Sequence, residues 1–223
     1  METKNINPAK GLRMLRTANI LSIIAIIIAI VGGVIMLMGA AGGASLAAES
    51  GGDIPAGAVG TAGIGALIGL VGLILVLVSS IMQIVGLAKT ANAHSGYKTA
   101  MMLVLAGFLV SACGGFLPLP EMLSSILNIV SPVINFFVIY FVITATAALL
   151  IEKSNQSLAD GGIKVRTTYL VCTAILVAAE LAALLPALAT AFSMITLVAS
   201  LVQLVALFRY IGFLGNAATA LGE

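Results

Sequence analysis

Charged side chains fall in a few short clusters along the chain, and the stretches between them are almost wholly apolar. Arg16 to Glu49 encloses 32 uncharged residues, Asp53 to Lys89 encloses 35, Lys98 to Glu121 encloses 22 and Glu121 to Glu152 encloses 30. Arg166 to Arg209 encloses 42 positions, interrupted only by Glu180. A helix rising about 1.5 Å per residue crosses the ~30 Å hydrocarbon layer with roughly 20 apolar residues. The first four stretches therefore each predict one spanning helix. The last is long enough for two, with a tight turn at Pro186 and the small residues after it. The predicted spans are 18–40, 61–88, 99–117, 130–151, 167–186 and 190–209. Backbone groups inside lipid must be satisfied within the segment, and the ten-residue alternation of a membrane β-barrel is absent. The prediction is an all-α integral membrane protein with six transmembrane helices in a single membrane domain, residues 1–223.

The basic N-terminus followed by an apolar run resembles a signal peptide. The run from Leu21 to Met38 is longer than the usual core of about 7–15 residues, so it is expected to remain as the first span. Composition agrees with membrane residence. Hydrophobic residues make up 61% and charged residues 8%, against about 25% charged in a soluble domain. That excludes a soluble enzyme, a disordered chain and a nucleic-acid binder. The two cysteines are too few for a disulfide framework.

The distribution of charge orients the spans. Six spans place the N-terminus, the 89–98 and 152–166 loops and the C-terminus on one side. All ten basic residues fall there, whereas the opposite side holds Glu49, Asp53 and Glu121. By the positive-inside rule both termini are expected in the cytoplasm, with the protein in the plasma (inner) membrane. Residues 41–60, rich in Gly and Ala, then read as a flexible exported loop. Residues 118–129 carry Pro118 and Pro120, and Met122–Ile129 is expected as a short interfacial helix.

An internal repeat runs through the pattern. Residues 77–89 (LVSSIMQIVGLAK) and 197–209 (LVASLVQLVALFR) share six of thirteen positions, including Ser80/Ser200 and Gln83/Gln203. Residues 141–153 fit more loosely, with Thr144 at the hydroxyl position and Lys153 at the basic one. Odd-numbered spans begin alike, at Arg16–Thr17–Ala18, Lys98–Thr99–Ala100 and Arg166–Thr167–Thr168. The expected architecture is three tandem helical hairpins, about 1–92, 93–158 and 159–223, around an axis along the membrane normal.

Few residues carry chemistry. No catalytic set, metal-ligand cluster, cofactor motif or nucleotide-binding glycine pattern is present, so the protein is expected not to be an enzyme and to need no cofactor. His94 reads as a solvated loop residue. Glu180 lies about 14 residues into the fifth span, roughly 20 Å from Arg166. No basic residue falls at that depth, and a carboxyl there is costly unless neutral, paired or hydrated. It is the leading candidate for a proton or cation site. Gln203, Gln83 and Asn135 form a second tier of intramembrane polar groups, able to bond between helices or to line a polar path. Gly65 and Gly69 make a GxxxG, and Ala174 and Ala178 a small-xxx-small face. Both are expected to pack helices closely.

Two functions fit. The first is a small-solute or ion transport component with an intramembrane acid. The alternative is a non-catalytic structural or accessory subunit of a larger membrane complex. The expected partners are the lipid bilayer and other membrane subunits or further copies of the chain, and no nucleic acid. Topology is directly testable. A Cys placed at position 50 should react from outside the cell with an impermeant thiol reagent, and one at position 94 should not. The reverse pattern would overturn the orientation.

Overall fold

A computed structural model describes the backbone of residues 8–50, 56–116, 121–183 and 189–222. Within these it describes the side chains of 8–41, 60–110, 127, 129–179, 181–182, 195–196 and 198–222. The described residues form six helices and no strand: α1 (Pro8–Ser50), α2 (Ala56–Thr90), α3 (Ser95–Phe116), α4 (Glu121–Glu152), α5 (Gln156–Ala183) and α6 (Ala189–Ala220). All but α3 are long and apolar enough to cross a membrane, and the described apolar part of α3 is the shorter Ser95–Val110. The chain is an all-α membrane protein.

Several helices outrun the spans expected of them. α1 begins at Pro8, α5 at Gln156, and α6 continues to Ala220. Apolarity marks where a helix crosses lipid, whereas the helix itself ends only where its backbone bonding does, so charged residues continue it into water. Proline at the start of α1 is compatible with this, since the first turn has no acceptor for its missing N–H. Helical backbone also occupies 41–50 and resumes at Ala56, within the segment expected as a loop. α4 is continuous through Pro132, so Met122–Ile129 is the beginning of this helix rather than a separate short one.

The chain divides into two compact units, Thr17–Gln83 and Met1–Arg16 with Ile84–Glu223. The first unit is an antiparallel pair, with α1 and α2 in backbone contact along it. A Cβ added to Gly32 would stand 2.6 Å from the amide nitrogen of Gly69, and one on Gly39 2.6 Å from that of Ala62. On Gly72 it would stand 2.9 Å from the nitrogen of Ala29, and on Gly65 2.7 Å from the carbonyl oxygen of Gly32. Each step of three or four residues along α1 is matched by an equal step back along α2. The buried small residues recur every seven positions: Ala18, Ala25, Gly32 and Gly39 on α1, and Gly65, Gly72 and Ser79 on α2. A seven-residue period keeps one seam facing its partner along a left-handed pair. The rest of both helices points outward: Ile27, Ile30, Leu37, Leu67 and Leu73 are all more than half exposed.

The seam alters the expected role of the GxxxG. Gly65 is a contact glycine, but an added Cβ at Gly69 meets nothing within 4 Å. Its backbone approaches Gly32 while its missing side chain faces open space. The period that matters is seven, because residues four apart drift off a seam this narrow.

The second unit contains α3 to α6 with the first turns of α1 and the last of α2. α3 packs on α4, α4 on α5 and α5 on α6. Its core gathers Leu12, Leu15, Leu87, Tyr97, Ile143, Leu150 and Leu214, all at most 2% exposed. These residues come from the beginnings of α1 and α3 and the ends of α2, α4 and α6, so the core sits at the end of the bundle shared by those termini. The Tyr97 hydroxyl and Thr146 Oγ1 are hydrogen-bonded at 2.8 Å within it. Glycines again mark close approaches: an added Cβ on Gly11 would stand 2.7 Å from the Gly86 carbonyl oxygen, and one on Gly162 2.6 Å from the Phe213 ring.

The two glycines of the GxxxG should behave differently. Gly65→Ala forces the paired backbones apart and should cost about 1–3 kcal/mol, as overpacking does. Gly69→Ala should be neutral or stabilising, since alanine is a better helix former by about 1 kcal/mol. Unfolding of the two variants in mixed micelles measures both, and equal effects would contradict the seam.

Candidate functional site: a polar cavity among three helices

Ser131 and Asn135 stand one turn apart on α4. Ser200, Gln203, Leu204 and Leu207 follow the three- and four-residue spacing of one face of α6. With Tyr169 of α5 and Pro132 they line an open cavity of about 470 Å³. Asn135 lies near the middle of α4, and Ser200 and Gln203 near the middle of α6, so the cavity falls at mid-length in both helices. Ser131, Asn135 and Ser200 are exposed, Gln203 is half-buried and Tyr169 is buried at the floor.

Pro132 shapes this wall chemically. It has no N–H to give to the carbonyl four residues earlier in α4, so one helical hydrogen bond is missing there. Asn135 and Gln203 each add two N–H donors and a carbonyl acceptor, and the serines add hydroxyls. No charged side chain is among the described residues of the lining. One turn beyond Tyr169 on α5, Thr173 is 4% exposed, and its Oγ1 has no hydrogen-bond partner among the described residues. Leaving such a group unsatisfied costs about 1–3 kcal/mol.

A positive charge stands one turn toward the other side. Arg166, on α5 three residues before Tyr169, donates from Nη1 to Thr144 Oγ1 at 3.0 Å. Its guanidinium carbon lies 4.9 Å from the centre of the Tyr140 ring. The Thr144 hydroxyl in turn donates to the Tyr140 carbonyl at 2.7 Å, which leaves its lone pair for the arginine. Tyr140 meets Phe141 edge-on, with centroids 5.5 Å apart, and Phe136 at 5.9 Å. The aromatic face and the hydroxyl together hold the half-buried guanidinium inside α5. The sequence marks Arg166 as a span boundary and as the basic residue of the repeated entrance step, not as a group held within the bundle. The available signal was Tyr140 and Thr144 one turn apart on the preceding span.

Of the residues singled out by sequence, Asn135 and Gln203 are brought together on the cavity. Gln83 belongs to the 17–83 unit, where it is half-buried. Glu180 falls on the helical backbone of α5, and its side chain lies outside the described residues. Ala174 and Ala178 are both exposed, so the expected small-residue face is not a buried contact among the described residues. The buried positions on that helix run instead through Val165, Cys172 and Ala179, again seven apart. His94 has a structural role: the Gly96 N–H donates to its Nδ1 at 3.0 Å at the start of α3. No group of three His, Cys, Asp or Glu able to hold a metal occurs among the described residues. Compared with protein families, curated proteins and solved structures, the chain matches none.

Proposed function

We propose that the protein is a non-enzymatic membrane transport component that passes a small, uncharged polar solute through the α4–α6 cavity. One observation carries the reading. Asn135, Gln203, Ser131 and Ser200 converge at mid-length of α4 and α6 on a single cavity, beside a helix whose bonding is interrupted by Pro132. Amides and hydroxyls replace the hydration of a neutral polar molecule, whereas a bare ion there calls for charged partners or many carbonyls. Arg166 makes the inner approach unfavourable to cations. Glu180, on the same helix, is kept in this reading as a candidate proton or cation site.

The same proposal places both termini in the cytoplasm of a plasma-membrane protein, with three hairpins related by repetition. The charge asymmetry supports the orientation. The repeat is supported by burial: Ser79 and Gly86 of α2 align with Ala199 and Ala206 of α6, and all four are buried. Gln83 and Gln203, four positions after Ser79 and Ala199, are both half-buried.

A second reading has its own support. Ser131, Asn135 and Ser200 are exposed at a depth where lipid offers no hydrogen bonds. A polar helix from another membrane subunit, or from a second copy, would satisfy them, as in an accessory subunit.

Osmotic relaxation of proteoliposomes separates the two. With glycerol or urea as the test solute, the intact protein should speed solute entry over protein-free vesicles. Asn135→Leu and Gln203→Leu should slow it roughly ten-fold if each removes a hydrogen-bonding group of about 1–3 kcal/mol. Relaxation indistinguishable from empty vesicles for both solutes would reject transport of this class.

A further inference from the structure

A second, larger concavity lies between α5 and α6 and differs in chemistry from the polar cavity. Its volume is about 840 Å³, and its walls are apolar except at one end. That end carries Lys164, Thr167 and Thr168; beyond it come Val171, Ile175 and Val198. Lys164, Val171, Ile175 and Val198 are exposed along its mouth. From Lys164 to Ile175 the groove rises about 17 Å along α5. That is close to one leaflet, half of the ~30 Å hydrocarbon thickness. A spanning helix from a partner would need contact over the whole thickness, so the groove is too short to be its seat. An amphiphile anchored in a single leaflet matches both the length and the polarity, with its head at one end only.

We infer that this groove binds an anionic phospholipid, with the headgroup phosphate on the Lys164 ammonium and one acyl chain along Val171, Ile175 and Val198. Charge complementarity selects the headgroup. Lys164 is the only charged residue among the described residues lining the groove, and it lies at the polar end. The Thr167 and Thr168 hydroxyls donate to the Ile163 and Lys164 carbonyls. Their free lone pairs therefore accept hydrogen bonds and suit a headgroup bearing hydroxyls, such as glycerol. The site is independent of the polar cavity and of what that cavity carries.

The test is lipid retention. The full-length protein is purified in mild detergent with an equal mixture of phosphatidylglycerol and phosphatidylcholine, and bound lipid is counted by native mass spectrometry. The wild type should retain phosphatidylglycerol in preference. Lys164→Gln should lower that preference roughly five-fold, the effect of one basic residue at an anionic surface. Val198→Trp, which fills the groove, should lower retention of both lipids. Lys164 is exposed, so its variant should elute and unfold as the wild type does. Retention without headgroup preference, or retention unchanged in both variants, would overturn the assignment.

Discussion

Within a bilayer, apolar side chains gain nothing by leaving lipid for a neighbouring helix, because lipid is as apolar as they are. This constraint divides the protein into two packing regimes. In the Thr17–Gln83 unit the helices touch through glycine, alanine and serine, with the large aliphatic residues turned outward. Attraction there comes from dispersion between closely approaching backbones, which requires Gly32, Gly39, Gly65 and Gly72 to lack a Cβ. At the end of the other unit where α1 and α3 begin, the helices extend beyond the apolar stretches. Leucine, isoleucine and tyrosine are buried there as in a water-soluble core. Where those ends leave lipid, burial from water adds about 25 cal/mol per Å² of apolar surface removed.

The same constraint gives the polar cavity its significance. A polar group facing hydrocarbon without a partner is expensive, and α4 to α6 gather several polar side chains on one cavity: Ser131, Asn135, Ser200 and Gln203. Structural hydrogen bonds between the helices would have closed this gap; an open cavity of about 470 Å³ keeps it apart. Water or a polar solute in that space satisfies the lining, and this is the physical basis of the transport proposal. Arg166, held by Thr144 and Tyr140, adds a fixed positive charge on one side of it.

Much of the fold was legible from the sequence, because the length of an uncharged stretch and the thickness of a bilayer are commensurate. The helix count follows from that alone. Helix ends were less legible: apolarity reports lipid contact, and α5 and α6 continue as helices past Arg166 and Arg209. The packing seam was partly legible. Gly65 stood out, but a spacing of four was read where the helices use seven, since which of several small residues faces a neighbour depends on helix rotation. Asn135 and Gln203 could be named as unusual at their depth. That they share a cavity could not, because α4 and α6 meet there across α5 and no local pattern encodes that pairing.

The central claim is that mid-depth polar side chains on α4 and α6 face an aqueous space. Cysteine accessibility measures this most directly. In a background with Cys113 and Cys172 replaced, Asn135→Cys in native membranes should be modified by a small, water-soluble, charged methanethiosulfonate reagent. Phe137→Cys, at an exposed apolar position two residues away, should resist it. If Asn135→Cys reacts no faster than Phe137→Cys, and both yield only to a lipid-soluble maleimide, the cavity is not aqueous and the account fails.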